Sequence, residues 1–326
     1  MSYNSRIYNR LSLLAAIVVT MLTIPASAQQ AEVSKPERAL KNEPNLTVGT
    51  FNIRCKTPKD DAKGDGWDTR KKWVADLIEF EYPDIFGTQE VRYEQKLDLV
   101  DMLPEYDCVG VGRDDGKNGG EHELIFFKKN RFKLLQHGDF WLSETPEVPS
   151  KGWDAALPRI CTWAHLKDRK THKKIWFFNL HNDHIGVMAR QEAAKLVVAR
   201  IKEMTKKGEP VFLTGDFNVD QTNEIYKTYT TLLEDSFMTA EKKYTPNGTA
   251  NSFRTDTFTK SRIDHIFVSP GTDVVRFGLM TETYRTENQA SAEAEKSGNF
   301  PKEIDFHTYT ARTPSDHFPV FIKVKL

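Results

Sequence analysis

Small polar and apolar residues alternate through LTVGTFNIR (46–54), the two-residue period of a half-buried strand. The pattern then changes to helical spacing. In TRKKWVADLIEFE (69–81) the residues Trp73, Leu77, Ile78 and Phe80 recur on one face, with Asp68 placed to cap the start and Pro83 to end the run. DIFGTQEV (84–91) reads as a short buried strand, EQKLDLVDML (94–103) as a helix stopping at Pro104, and YDCVGVG (106–112) as a strand running into the loop RDDGKNGG. Strand patterns follow at LIFFKK (124–129), FKLLQHGDFWL (132–142), ICTWAHL (160–166) and IWFFNLH (175–181), the last two joined as a hairpin by the basic turn KDRKTHKK. VMARQEAAKLVVARIKEM (187–204) predicts a helix and PVFLTGDFN (210–218) a buried strand. RIDHIFVS (262–269), DVVRFGLMTETY (273–284) and FPVFIKVKL (318–326) supply the remaining sheet, and the polar stretch 285–313 predicts an exposed loop. Strands outnumber helices and most neighbours can pair as hairpins, which predicts an α+β domain with mainly antiparallel sheets.

The N-terminus follows other rules. Arg6 and Arg10 precede an apolar run from Leu11 to Ile24, then Pro25 and Ala26-Ser27-Ala28. That order predicts a signal peptide over 1–28 and an exported chain, periplasmic or secreted. Residues 29–44 are expected to form a flexible polar arm, leaving 45–326 as one domain. No later segment is apolar enough to span a membrane. Losing residues 1–28 removes Arg6 and Arg10 and no acid, so 46 basic and 46 acidic residues become 44 and 46. A near-neutral chain disfavours extended nucleic acid as a partner, because that affinity comes from many cations meeting phosphates. Cys55, Cys108 and Cys161 are too few and too far apart for a disulfide framework. Buried free thiols are expected, with one Cys–Cys pair as the alternative.

Acids, amides and histidines recur where apolar strands end. Asn52 closes VGTFN, Glu90 closes IFGTQE, His181 closes FFNLH, Asp216 and Asn218 close VFLTGDFN, Asp264 and His265 interrupt RIDHIFVS, and Asp316 and His317 precede FPVFIKV. One such ending is an ordinary turn. Six would make a cleft if the strands shared a rim. The ordered set TFNIR, GTQEV, NLHNDH, TGDFN, RIDHIFVS and PSDHFPV resembles the endonuclease–exonuclease–phosphatase superfamily, with its DNase-I-like fold, over residues 45 to 326. GVGRDDG, ETPEVPSKGWDAALPRICTW and HNDHIGVMAR look like a secreted bacterial branch of it.

The resemblance implies a four-layer α/β/β/α sandwich with two sheets packed face to face. It also implies Mg²⁺ as cofactor, with Mn²⁺ as a substitute, held by Glu90 with Asn52 beside it and Asp316 nearby. Asp216 would position and deprotonate the attacking water, and Asn218 would orient it or hold a phosphate oxygen. His317 would be partnered by Asp264 and act as a cation on the phosphoryl oxygens or as general base. His181 would be a second donor, with Glu121 as its acidic partner and Glu123 competing. Arg113 and Arg159 are candidate phosphate or substrate contacts or structural ion pairs, and Asp183 and His184 line the substrate pocket or cap the following helix, with capping the reading for Asp183. Trp153 and Trp163 could stack on a sugar or base, with a core position the expected reading for Trp163.

The implied activity is hydrolysis of a phosphoester, mono- or diester, by in-line attack of water. The substrate would be a phosphorylated sugar, a lipid head group or a nucleotide. A scavenging nuclease is the alternative enzyme, and a catalytically silent ligand-binding protein the alternative of another class. The sequence does not specify an oligomeric state.

Overall fold

The computed structural model describes residues 43–287 and 307–326. The expected signal peptide and nearly all of the expected arm lie outside them. In chain order the elements begin with β1 (Leu46–Asn52), α1 (Pro58–Asp61), α2 (Trp67–Glu81), β2 (Ile85–Gln89) and α3 (Tyr93–Met102). Then come β3 (Tyr106–Val109), β4 (Ile125–Lys128), β5 (Phe132–Trp141), β6 (Ile160–Asp168), β7 (Lys174–His181), α4 (Val187–Met204) and β8 (Val211–Asp216). Next are α5 (Glu224–Tyr229), β9 (Glu234–Asp235), α6 (Ser236–Thr239) and β10 (Lys242–Tyr244). The chain closes with β11 (Asp264–Val268), β12 (Asp273–Leu279), β13 (Tyr284–Glu287), β14 (Tyr309–Arg312) and β15 (Val320–Lys325).

Two open sheets form. One runs β10-β12-β15-β1-β2-β4-β3 and the other β5-β6-β7-β8-β11-β9. Most pairs are antiparallel. The β1–β2, β7–β8 and β10–β12 pairs are parallel, so each sheet is mixed. Strand alternation explains the layering. Val48, Ile85, Ile125 and Phe127 from one sheet meet Phe177, Phe212, Ile266 and Val268 from the other in a shared core. The opposite residues, Phe51, Phe86 and Phe126, pack under Trp67, Val74 and Ile78 of α2. Phe178, Leu213 and Phe267 pack under Ala193, Val197 and Ile201 of α4. The result is helix, sheet, sheet, helix, as the family resemblance implies.

Local corrections have simple causes. Gly66 is the N-cap of α2, and Asp68 sits inside the first turn, where an acid favours the helix dipole. The ends of the polar stretch 285–313 are not loop, because β13 and β14 pair with Thr286 opposite Thr310. All three cysteines are free, with Cys55 and Cys161 buried. As expected of a core residue, Trp163 packs beside Trp176 on the helix side of its sheet, away from the strand ends considered below. Among the described residues no helix is long and apolar enough to cross a membrane.

Candidate active site

The same alternation that builds the inter-sheet core turns polar at one rim. On β7 the inward series is Phe177, Asn179, His181; on β8 it is Phe212, Thr214, Asp216; on β11 it runs back from Val268 and Ile266 to Asp264. Register aligns them, with His181 opposite Asp216 and Asp216 opposite Asp264. The facing sheet contributes Thr50 and Asn52 from β1 and Gln89 from β2, with Asn52 opposite Gln89. Below the rim a buried seam ties the sheets together. Asn179 Nδ2 donates to the carbonyls of Thr88 (2.9 Å) and Leu124 (3.0 Å), while its Oδ1 accepts from Gln89 Nε2 (2.6 Å) and Thr214 Oγ1 (3.0 Å). Gly87 leaves room for this amide, since a Cβ there would lie 2.2 Å from Asn179 Oδ1.

Two site residues just beyond strands adopt left-handed backbone, Glu90 at φ 63° and Asn218 at φ 48°. Such conformations are costly outside glycine and concentrate where a side chain must be re-aimed. Glu90 Oε1 accepts from Asn52 Nδ2 (3.0 Å) and its Oε2 from the backbone N–H of Cys55 (3.1 Å). Asn52 Nδ2 also donates to Asp216 Oδ2 (3.0 Å), while its Oδ1 accepts from Arg54 N–H (3.0 Å). Asn52 therefore bridges two carboxylates through its NH₂, where an oxygen facing a cation was expected. Arg54 Nη1 lies 3.8 Å from Glu90 Oε2 and 3.7 Å from Asp316 Oδ2. These oxygens are hard donors that already hold a positive group between them, and they suit Mg²⁺ or Mn²⁺ better than a thiophilic metal.

His317 Nδ1 is 2.9 Å from Asp264 Oδ2, and its Nε2 is 3.8 Å from Asp216 Oδ2. The loop carrying it is pinned by Ser315 Oγ, which donates to the Asn52 carbonyl (2.7 Å). Burial would lower the His317 pKa, but Asp264's charge and hydrogen bond, then Asp216 and Asp316, raise it well above the ordinary value. Burial and the neighbouring Asp264 push Asp216 up to about 7. Burial also opposes ionisation of Glu90, yet the Asn52 hydrogen bond and the charges of His317 and Arg54 hold it below the usual range.

His181 is the opposite case. Burial, then the Arg159 and Arg113 guanidiniums, drive its pKa well below ordinary, so the ring is neutral. Its Nε2 is 3.1 Å from Asn218 Nδ2 and 3.6 Å from Asp216 Oδ2. One rim thus holds an imidazolium and a neutral imidazole, the separation expected of groups with different roles. Asp216 has Asn218 N–H on its other oxygen (3.0 Å). Among the described residues three ligand-capable atoms lie within 4.8 Å of one another in each of three sets, one from Glu90, His181 and Asp216, one from Asp216, Asp264 and His317, and one from Glu121, Glu123 and His181.

The expected pairing of His181 with Glu121 is not what forms. Glu121 Oε2 makes a 2.7 Å ion pair with Arg113 Nη1, and Arg92 stands 3.7 Å from its other oxygen. Two nearby cations outcompete a neutral ring. Glu123 is fully buried near His181, and burial lifts its carboxyl to about 8. Arg159 Nε donates to Asp183 Oδ2 (3.2 Å), and its Nη2 reaches His184 Nδ1 (2.9 Å). Asp183 does not cap α4. It binds the N–H groups of Ile185 and Gly186, and Asp154 takes those of Met188 and Ala189. Asn182 is fully buried and donates through Nδ2 to the Phe217 carbonyl and Tyr229 Oη, while its Oδ1 has no hydrogen-bond partner.

Sequence reasoning missed Arg54, Gln89, Asn179 and Ser315. The inward parity of Gln89 with Ile85, and of Asn179 with Phe177, was the available signal. Arg54 and Ser315 gave none, because their roles depend on loops meeting across the fold.

The Endonuclease/Exonuclease/phosphatase family matches residues 49–317. Mannosyl-6-phosphatase Bt3783 of Bacteroides thetaiotaomicron VPI-5482 is 48% identical, with a TM-score of 0.80, covering 86% of this chain and 100% of that one. An endonuclease/exonuclease/phosphatase from Bacteroides vulgatus is 35% identical, with a TM-score of 0.73, covering 86% and 98%. Uncharacterized protein L388 of Acanthamoeba polyphaga mimivirus is 27% identical over 266 residues, 78% of this chain and 91% of L388.

Proposed function

Because this chain belongs to the endonuclease/exonuclease/phosphatase family and carries the clustered acids and histidines of a metal-dependent phosphoesterase, we propose that it removes the terminal phosphate from a phosphorylated sugar, a mannose 6-phosphate group in the first instance. The observation that carries this reading is the 48% identity extending over the whole of a mannosyl-6-phosphatase. The near-neutral charge of the chain agrees with a small substrate better than with a nucleic acid.

In the proposed mechanism Glu90 and Asp316 would hold the divalent cation, and Asn52 fixes Glu90 and Asp216 relative to each other. When bound, the ion supplies Lewis-acid polarisation of the phosphoryl oxygens and charge for the leaving oxygen. Asp216 accepts the proton of the attacking water, and Asn218 orients that water. His317, charged and held by Asp264, stabilises negative charge building on the phosphoryl group. His181 stays neutral and accepts the Asn218 Nδ2 hydrogen bond at Nε2, holding that amide in place without drawing charge from Asp216. A raised His317 pKa argues for this electrostatic role and against a general base, which would have to be neutral.

The test is orthophosphate release from mannose 6-phosphate with Mg²⁺, then with chelator. Chelator-sensitive release supports the reading. Absence of release from any sugar monoester, with nicking of plasmid DNA instead, would overturn it in favour of the nuclease. We further propose export after cleavage behind Ala28. Protein recovered outside the cytoplasm should then begin at Gln29, and a retained Met1 would refute this.

A further inference from the structure

Beside His181 the chain buries far more charge than its neutral ring requires. Arg113 and Arg159 are each 3% exposed, Glu121 7%, Asp183 2% and Glu123 0%. Arg159 is gripped from one side only, by Asp183 on Nε and His184 on Nη2, and its Nη1 is buried with no hydrogen-bond partner. Arg113 pairs with Glu121, while its Nε makes no hydrogen bond and has only Asp114, half-exposed, at 4.0 Å. A buried guanidinium N–H left unpaired is costly, and apolar residues would fill the same space more favourably. Such donors make sense where an anion arrives. Guanidinium forks match phosphate oxygens in shape and charge.

We propose that Arg113 and Arg159 form a cradle for a phosphate dianion next to His181, so that the site takes a terminal phosphate monoester in preference to a diester. This deepens the phosphatase reading above and rests on it. A terminal phosphate carries between about 1.5 and 2 negative charges at pH 7, half a charge or more beyond a diester. The local carboxylates do not cancel both guanidiniums. Asp183 spreads its charge over the N–H groups of Leu157, Ile185 and Gly186 as well as Arg159. Glu121 is shared with Arg92. Glu123 has no partner on either oxygen, and near neutral pH it keeps its proton. Burial, and after it the charges of Arg159 and Arg113, lower the basicity of the His181 ring.

The metal-loaded protein is compared on p-nitrophenyl phosphate and bis(p-nitrophenyl) phosphate, with inorganic phosphate as inhibitor and as calorimetric ligand. Arg159→Gln and the double variant R113Q/E121Q, which leaves no buried Glu121 charge unpaired, should each lose roughly 10²-fold in kcat/KM on the monoester but less than about threefold on the diester. Inorganic phosphate should bind at least about tenfold more weakly to both, and Arg159→Lys, which keeps the charge and loses the fork, should fall between. Equal losses on both esters, or unchanged phosphate binding, would overturn the cradle. If the wild type hydrolyses no monoester, the phosphatase reading fails, and phosphate titration alone then decides. Binding lost in the arginine variants upholds the cradle, and binding unchanged in them refutes it.

Discussion

His317 bonds through Nδ1 to Asp264, 53 residues away in sequence, at 2.9 Å, and not to the adjacent Asp316. Asp316 instead faces Arg54. Neighbours on an extended chain point to opposite sides, so an Asp-His pair serves two purposes on two sides of one turn. The pairing makes Asp264 and His317 a unit. Removing either should cost about 10²–10³ in kcat, and the double Asp264→Asn/His317→Ala variant should lose little more than the worse single variant. Losses that multiply would show that the two act separately.

Glu90 has a different signature. Glu90→Gln keeps the size of the side chain and removes its charge beside Asp316 and Arg54. The Mg²⁺ concentration at half-maximal activity should rise by about 10–100-fold, with partial recovery at high metal. An unchanged metal requirement would place the cation elsewhere.

Glu123 predicts how stability depends on pH. Its folded carboxyl is raised to about 8, above the ordinary 4.5 of the unfolded chain. Between those values the unfolded state releases its proton first. Glu123 therefore favours the native state fully below 4.5, loses that contribution as pH rises to 8, and changes nothing beyond. Glu123→Gln should flatten the wild-type decline in unfolding free energy from pH 5 to 8 by roughly a few kcal/mol. Parallel profiles for the two proteins would mean that Glu123 titrates normally.

Much of this was legible in the chain. Period-two strands ending in Asn52, His181, Asp216 and Asp264 already implied one polar rim, because inward parity carries the core pattern to the strand ends. The helix over 187–204 was readable to the residue. What escaped depended on contacts no local pattern encodes. The pairing of Glu121 was decided by Arg113, eight residues away across a tight loop. Arg54 entered the site only because its backbone turns left-handed at φ 60°. The short β13–β14 ladder is drawn from polar residues that carry no apolar alternation.

Asn179 offers a test of how the rim is held. Its amide makes four hydrogen bonds, three of them between the sheets, given to the Thr88 and Leu124 carbonyls and received from Gln89, and one received from Thr214 on the neighbouring strand. Asn179→Leu would fit the volume but remove all four bonds, although the Leu124 carbonyl, Thr214 Oγ1 and Gln89 Nε2 each keep one other partner, and should cost roughly 2 kcal/mol or more in denaturant unfolding. Gly87→Ala attacks the same seam from the other side, since the new methyl would meet Asn179 Oδ1 at 2.2 Å with the backbone of two sheets unable to part easily. Because Asn179 lies two residues before His181 on β7, and Gln89 immediately before Glu90, both variants should also lower kcat while leaving the residues of the rim chemically intact. Stability and activity should therefore fall together, and a variant that loses stability alone would show that the seam holds the sheets without positioning the site.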